Sequence, residues 1–201
     1  MENRRKYFTI AGLCFAFVTA MRAIVLGRDL SAGSYELFSF DGIMQLILVI
    51  SCLLIALSFF VSKPALSAVG CLGCFIHALS QMGVSLYWAF RVALECGIDY
   101  NSYYSVCEIF VFFMWLCHGA YFLFLVLSFV RRPAAALYTG AIVASCLSFV
   151  FFMIAMLWFE IKHLIILDIL EYAARALVPV MLYVSLKNSR RSAAETPPEP
   201  V

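Results

Sequence analysis

The chain has 201 residues, 65% of them hydrophobic and 13% charged, against roughly 45–50% and about 25% in an ordinary globular domain. With 19 Phe, only 6 Pro and a mean hydropathy of +0.97, it carries more apolar surface than water tolerates. That excludes a soluble enzyme, a free nucleic-acid binder and, away from the ends, intrinsic disorder.

An all-α integral membrane protein remains. A helix rising about 1.5 Å per residue needs about 20 residues to cross a hydrocarbon core of about 30 Å. Six apolar runs of that length occur, at 7–27, 43–62, 65–88, 106–130, 136–159 and 164–186. The first follows Arg4, Arg5 and Lys6 as a signal peptide would, but Arg22 falls where a cleavage site would need small residues, so the span is read as retained. It also holds Ala16-Phe-Val-Thr-Ala20, a small-xxx-small pattern that admits a neighbouring helix.

Basic residues set the orientation. Arg4, Arg5, Lys6, Lys63, Arg131, Arg132, Lys187, Arg190 and Arg191 fall on one side, against Arg28, Arg91 and Lys162 on the other. The positive-inside rule then puts both termini in the cytoplasm. The opposite side is acidic (Asp29, Glu36, Asp41, Glu95, Asp99, Glu160) and carries an aromatic belt of Tyr87, Trp88, Tyr100, Tyr103, Tyr104 and Trp158. A net charge of +2 is therefore a topology signal and gives no reason to expect nucleic acid. Absence of an Asn-x-Ser/Thr sequon fits a bacterial plasma membrane.

The spans form one domain over 1–191, divisible into three helical hairpins at 7–64, 65–133 and 134–191, with 192–201 expected as a disordered cytoplasmic tail rich in Pro and Glu. Lys63-Pro64 and Arg132-Pro133 end the first two hairpins alike. Gly12, Gly70 and Gly140 follow the basic entrances at similar spacing. True duplication and ordinary inside turns explain these similarities equally well. The Pro-x-acidic-x-x-basic signatures of mitochondrial carriers are missing.

Charges inside spans are costly, about 2.5–3.5 kcal/mol each on insertion scales, so they pair or face water. The sixth span carries Asp168, Glu171 and Arg175 within about 60° of one another, and Glu171 and Arg175 stand at i, i+4. Counting residues puts Arg22 about 24 Å from the cytoplasmic end, level with Glu171. The expectation is an outward-facing polar cavity around Arg22, Glu171 and Arg175, with Glu108 and Asp168 at its mouth, binding or translocating a small polar solute. An interhelical ion pair that only fixes helix order is the competing reading.

His77 and His118 lie at matching depth, where they could ligate a haem iron or, with Cys74, a transition metal; as the commoner outcome they bond neighbouring helices. No cofactor is expected beyond that alternative. Cys71-x-x-Cys74 is too deep and apolar for thiol exchange and is read as packing. Cys96 and Cys107 flank an outer loop and could form a disulfide joining the third and fourth spans. No phosphate loop, HExxH or GxSxG motif occurs, so active transport would need an ion gradient or a partner subunit.

In size, span number and the Ala16–Ala20 pattern, the chain is similar in outline to the substrate-binding subunits of energy-coupling-factor importers. That similarity implies vitamin capture from outside and docking on an ATPase module through the first helix. A non-catalytic accessory subunit, in a hetero- or homo-oligomer within the bilayer, is the third class considered.

Overall fold

A computed structural model describes residues 2–33, 36–95, 98–131, 133–158 and 165–195. It contains six helices: α1 (Glu2–Ser31), α2 (Phe40–Val61), α3 (Pro64–Glu95), α4 (Ile98–Val130), α5 (Ala135–Trp158) and α6 (Ile165–Glu195). All six are long and apolar enough to cross a membrane. Several outrun the apolar runs, because a helix can continue past its last apolar residue into the polar zone; α6 reaches Glu195, so Ser192 onward begins as helix. Cys96, Phe159, Glu160, Lys162, Leu164 and 196–201 lie outside the described residues, as do the side chains of Glu95, Asp99, Tyr100, Tyr103, Tyr104 and Trp158.

Local chemistry sets the turn between α2 and α3. Ser62 takes a left-handed conformation (φ 55°), and the Lys63 N–H donates to the Ser58 carbonyl at 3.0 Å. Pro64 then opens α3, where its missing N–H costs nothing. At the other end of α2, Ser39 accepts a hydrogen bond from the Gly42 N–H at 3.2 Å, capping the helix.

Each helix packs on its sequence neighbours, and α1 closes on α6 to complete a ring. Contacts at several levels make adjacent helices antiparallel. Tyr7 meets Asn188 and Arg22 meets Glu171 across α1 and α6; Ser58 meets Ser67 and Cys52 meets Cys74 across α2 and α3; Cys107 meets Ala155 and His118 meets Ser148 across α4 and α5. Packing between successive hairpins is as extensive as packing within them. Gly70 and Gly140 both face the preceding helix, whereas Gly12 faces α2, the helix that follows it.

Side chains from all six helices fill the axis, among them Phe15, Cys52, Cys74, Tyr121, Ala141 and Val178. Phe59 gathers Phe8, Phe15 and Phe129 around it, with ring centroids 5.8–6.4 Å apart. The outside of the ring is apolar: Leu13, Ile24, Ile50, Leu53, Phe90, Leu157 and Ile166 are all exposed, as a surface in contact with lipid requires. Ala20 also faces outward and Ala16 is half-buried, so this pair is not the seam of an internal contact.

The α2 and α3 backbones approach closely at Gly70. A Cβ built on Gly70 lies 2.6 Å from both the Ser51 carbonyl oxygen and Ile55 Cγ1. Gly70→Ala must therefore push the helices apart and is expected to cost about 1–3 kcal/mol. Gly83→Ala on the same helix, with nothing within 4 Å, is the matched control and should be neutral or stabilising. Thermal unfolding of the two variants in detergent checks this; equal melting temperatures would show that the α2–α3 seam yields freely.

Candidate functional site

The charged residues singled out in the first and sixth spans meet inside the ring. Glu171 Oε1 accepts from Arg22 Nε at 2.9 Å and Arg22 Nη2 at 2.7 Å, and from Arg175 Nη2 one helical turn along α6. Two guanidiniums thus share one carboxylate oxygen. Glu171 and Arg175 are almost fully buried, with 6% and 3% of their side chains exposed, and Arg22 retains 22%. The arrangement follows from sequence spacing: i, i+4 sets the α6 pair on one face, and antiparallel packing brings Arg22 to its level.

The network continues across the ring to α4 and α5. Arg175 Nη1 donates to His118 Nε2. Because a guanidinium only donates, Nε2 is the acceptor, so His118 carries its proton on Nδ1 and donates to Ser148 Oγ at 3.1 Å. Ser148 in turn donates to the Met114 carbonyl at 3.2 Å. Tyr121 donates to the backbone carbonyl of Arg175 at 2.9 Å. That carbonyl lies four residues before Pro179, which has no N–H to offer it, so Tyr121 supplies the bond that the proline removes. Tyr172 packs edge-on against His118 at 6.0 Å, closing the site from α6.

Other candidates land differently. Glu108 is bonded to Ser85 of α3 and joins α3 to α4, apart from the arginines. Asp168, one turn nearer the start of α6, is half-buried and outside the hydrogen-bonded network. His77, His118 and Cys74 do not converge on a common point. Trp115 packs edge-on against both histidines, at 5.4 and 5.3 Å, and both His118 nitrogens are engaged by Arg175 and Ser148. The Cys74 thiol faces Cys52 of α2 at 3.9 Å. No group of three His, Cys, Asp or Glu side chains suited to a metal ion occurs among the described residues. Cys107 is a free, buried thiol directed at the Ala155 carbonyl at 3.9 Å; its expected partner Cys96 is outside the described residues.

Three buried polar atoms lack a protein partner among the described residues: Arg175 Nε and both ring nitrogens of His77. His77 is 1% exposed, so its ring is enclosed without being hydrogen-bonded.

A second feature lies on the axis at the opposite end. A cavity of about 880 Å³ is lined by residues from all six helices and their basic-side turns, including Arg5, Phe8, Ser67, Phe129, Arg131 and Leu182. The polar cavity expected from the sequence belongs to the other end of the ring, around Arg22, Glu171 and Arg175. In the sequence Arg5 and Arg131 carry only a topology signal, and nothing in its pattern singles out Tyr121, Ser148, Tyr172 or Cys52.

No protein-family model, curated protein or solved structure matches this chain.

Proposed function

We propose that the chain is a plasma-membrane protein of three hairpins, with both termini in the cytoplasm, that binds or carries a small anionic solute at the Arg22–Glu171–Arg175 cluster. The basic residues at one end of the ring support that orientation. At the other end Arg91 lies 5.9 and 5.3 Å over the rings of Tyr87 and Trp88, an aromatic pair of the kind found at either membrane interface.

The observation that carries the solute's class is the hydrogen bonding of the cluster, in which the neighbouring Asp168 takes no part. Two guanidiniums meet one carboxylate, and Arg175 Nε is buried without a partner beside them. Buried polar groups are nearly always paired, and guanidinium donors suit a carboxylate or phosphate oxygen. The His77 ring, also without a hydrogen-bond partner among the described residues, packs on Trp115, which in turn packs on His118. No nucleotide-binding motif is present, so uphill movement would draw on an ion gradient or a partner subunit.

Trp115 provides the readout. Acetate and inorganic phosphate, titrated separately into detergent-purified protein, should give a saturable fluorescence change that disappears in Trp115→Phe. Arg22→Gln leaves Glu171 and Arg175 as a balanced pair and should fold, yet weaken binding at least tenfold, about 1.4 kcal/mol. If neither anion saturates the parent protein, or Arg22→Gln binds as tightly as the parent, the cluster is a structural tie and the proposal fails.

A further inference from the structure

The cavity at the basic end of the ring lies on the same axis as the charge cluster but is chemically unlike it. We infer that it is a second site, for an anionic amphiphile: a phosphate-headed lipid whose head is held by Arg5 and Arg131 and whose chain lies against a phenylalanine wall.

Volume comes first. About 880 Å³ falls within the roughly 300–1,000 Å³ of small-molecule sites. The lining is divided in character. Phe8, Phe59, Phe60, Phe129 and Leu182 form an apolar wall, serine, threonine and tyrosine side chains interrupt it, and Arg5 of α1 and Arg131 just past α4 are also part of the lining. Both arginines are exposed, and neither forms an ion pair with a described residue.

Charge and wall together narrow the occupant. A small hydrated anion would satisfy the arginines and leave the phenyl wall wet; a neutral apolar molecule would do the reverse. A compact phosphate joined to a hydrocarbon chain satisfies both, with the bidentate geometry that guanidinium offers to phosphate. The lining also reaches the outside of the ring at Phe60, which is 49% exposed, and at Thr9, also exposed, so it borders the apolar surface on α1 and α2. Basic residues beside a membrane attract anionic lipid in general. Here the inference is narrower, because it places the chain inside the ring.

Two variants test it. Arg5→Gln/Arg131→Gln removes the head contacts at exposed positions and leaves the wall. Thr9→Trp fills the cavity from an exposed position and leaves both arginines. Native mass spectrometry of detergent-released protein would be run with dioleoyl phosphatidate, with dioleoylglycerol, and with phosphatidate in the presence of millimolar inorganic phosphate. The expected result is one retained phosphatidate, at least tenfold weaker in each variant, no retained dioleoylglycerol and no displacement by phosphate. Equal retention by parent and double arginine variant would mean lipid on the outer surface and would overturn the inference. Equal retention of dioleoylglycerol would show that the head is not read. Displacement by inorganic phosphate would assign the site to the free anion instead. Should Thr9→Trp fail to fold, the arginine variant decides alone, with its melting temperature as the check on folding.

Discussion

Glu171→Gln is expected to destabilise the protein by about 3–5 kcal/mol, the range found when one partner of a buried ion pair is removed. The substitution keeps the side-chain shape but withdraws the one carboxylate bonded to Arg22 and Arg175, leaving two guanidiniums facing each other with their shared anion gone. Arg22→Gln should cost much less, because Glu171 and Arg175 remain a matched pair and Arg22 is the partly exposed member. Thermal unfolding in detergent, with gel filtration to confirm the monodisperse state, gives the comparison. A Glu171→Gln variant within 0.5 kcal/mol of the parent, roughly the scatter of ordinary surface substitutions, would show that the three charges are not coupled in solution.

A third variant decides whether the charges serve the fold. Replacing a buried ionic triad with apolar side chains of similar volume is often neutral, or stabilising by about 1–4 kcal/mol. If Arg22→Met/Glu171→Leu/Arg175→Met is at least as stable as the parent, packing alone holds the ring and the charges exist for something else. Loss of anion binding in that stable variant would identify it. If the triple variant does not assemble, the cluster is needed to set helix order, and the tie between α1, α4 and α6 is its purpose.

The parts of this site legible in the sequence were those fixed by one helix at a time. Glu171 and Arg175 are four residues apart, and that spacing alone puts them together. Arg22 could be placed at their level by counting residues from the basic end, because rise per residue is constant. Counting gave depth but not rotation or neighbour. His77 and His118 share a depth, yet Trp115 packs against both, and His118 turns to Arg175 and Ser148 instead. Cys71 and Cys74 are adjacent on one helix, but the thiol facing Cys74 comes from Cys52 on another. Span lengths fell short for a related reason: hydropathy ends at the first charge, whereas backbone hydrogen bonding carries α3 to Glu95 and α6 to Glu195. The basic-end cavity was invisible because it needs residues from every helix, and Arg5 and Arg131 already had a sufficient explanation as topology signals.

The Tyr121 hydroxyl could not be matched to Pro179 from the sequence either, yet it makes the most specific stability prediction. Pro179 is fully buried in the middle of α6, and the Arg175 carbonyl would otherwise be the acceptor for residue 179. In a membrane interior an unpaired carbonyl has no water to turn to, and neighbouring side chains are what make such prolines tolerable. Tyr121→Phe should therefore cost roughly 1–3 kcal/mol, the penalty of a buried acceptor left unmade. Pro179→Ala restores an N–H at that position, so its own effect should be small. In the Pro179→Ala background Tyr121→Phe should cost at least 1 kcal/mol less than in the parent, a coupling that a double-mutant cycle measures directly. If Tyr121→Phe costs the same in both backgrounds, the hydroxyl's contribution comes from packing and not from the carbonyl. The cycle also reaches the site. Arg175 is the residue whose backbone Tyr121 holds and whose guanidinium bridges Glu171 and His118. Tyr121→Phe should accordingly loosen anion binding as well as the fold, and Pro179→Ala should restore both together.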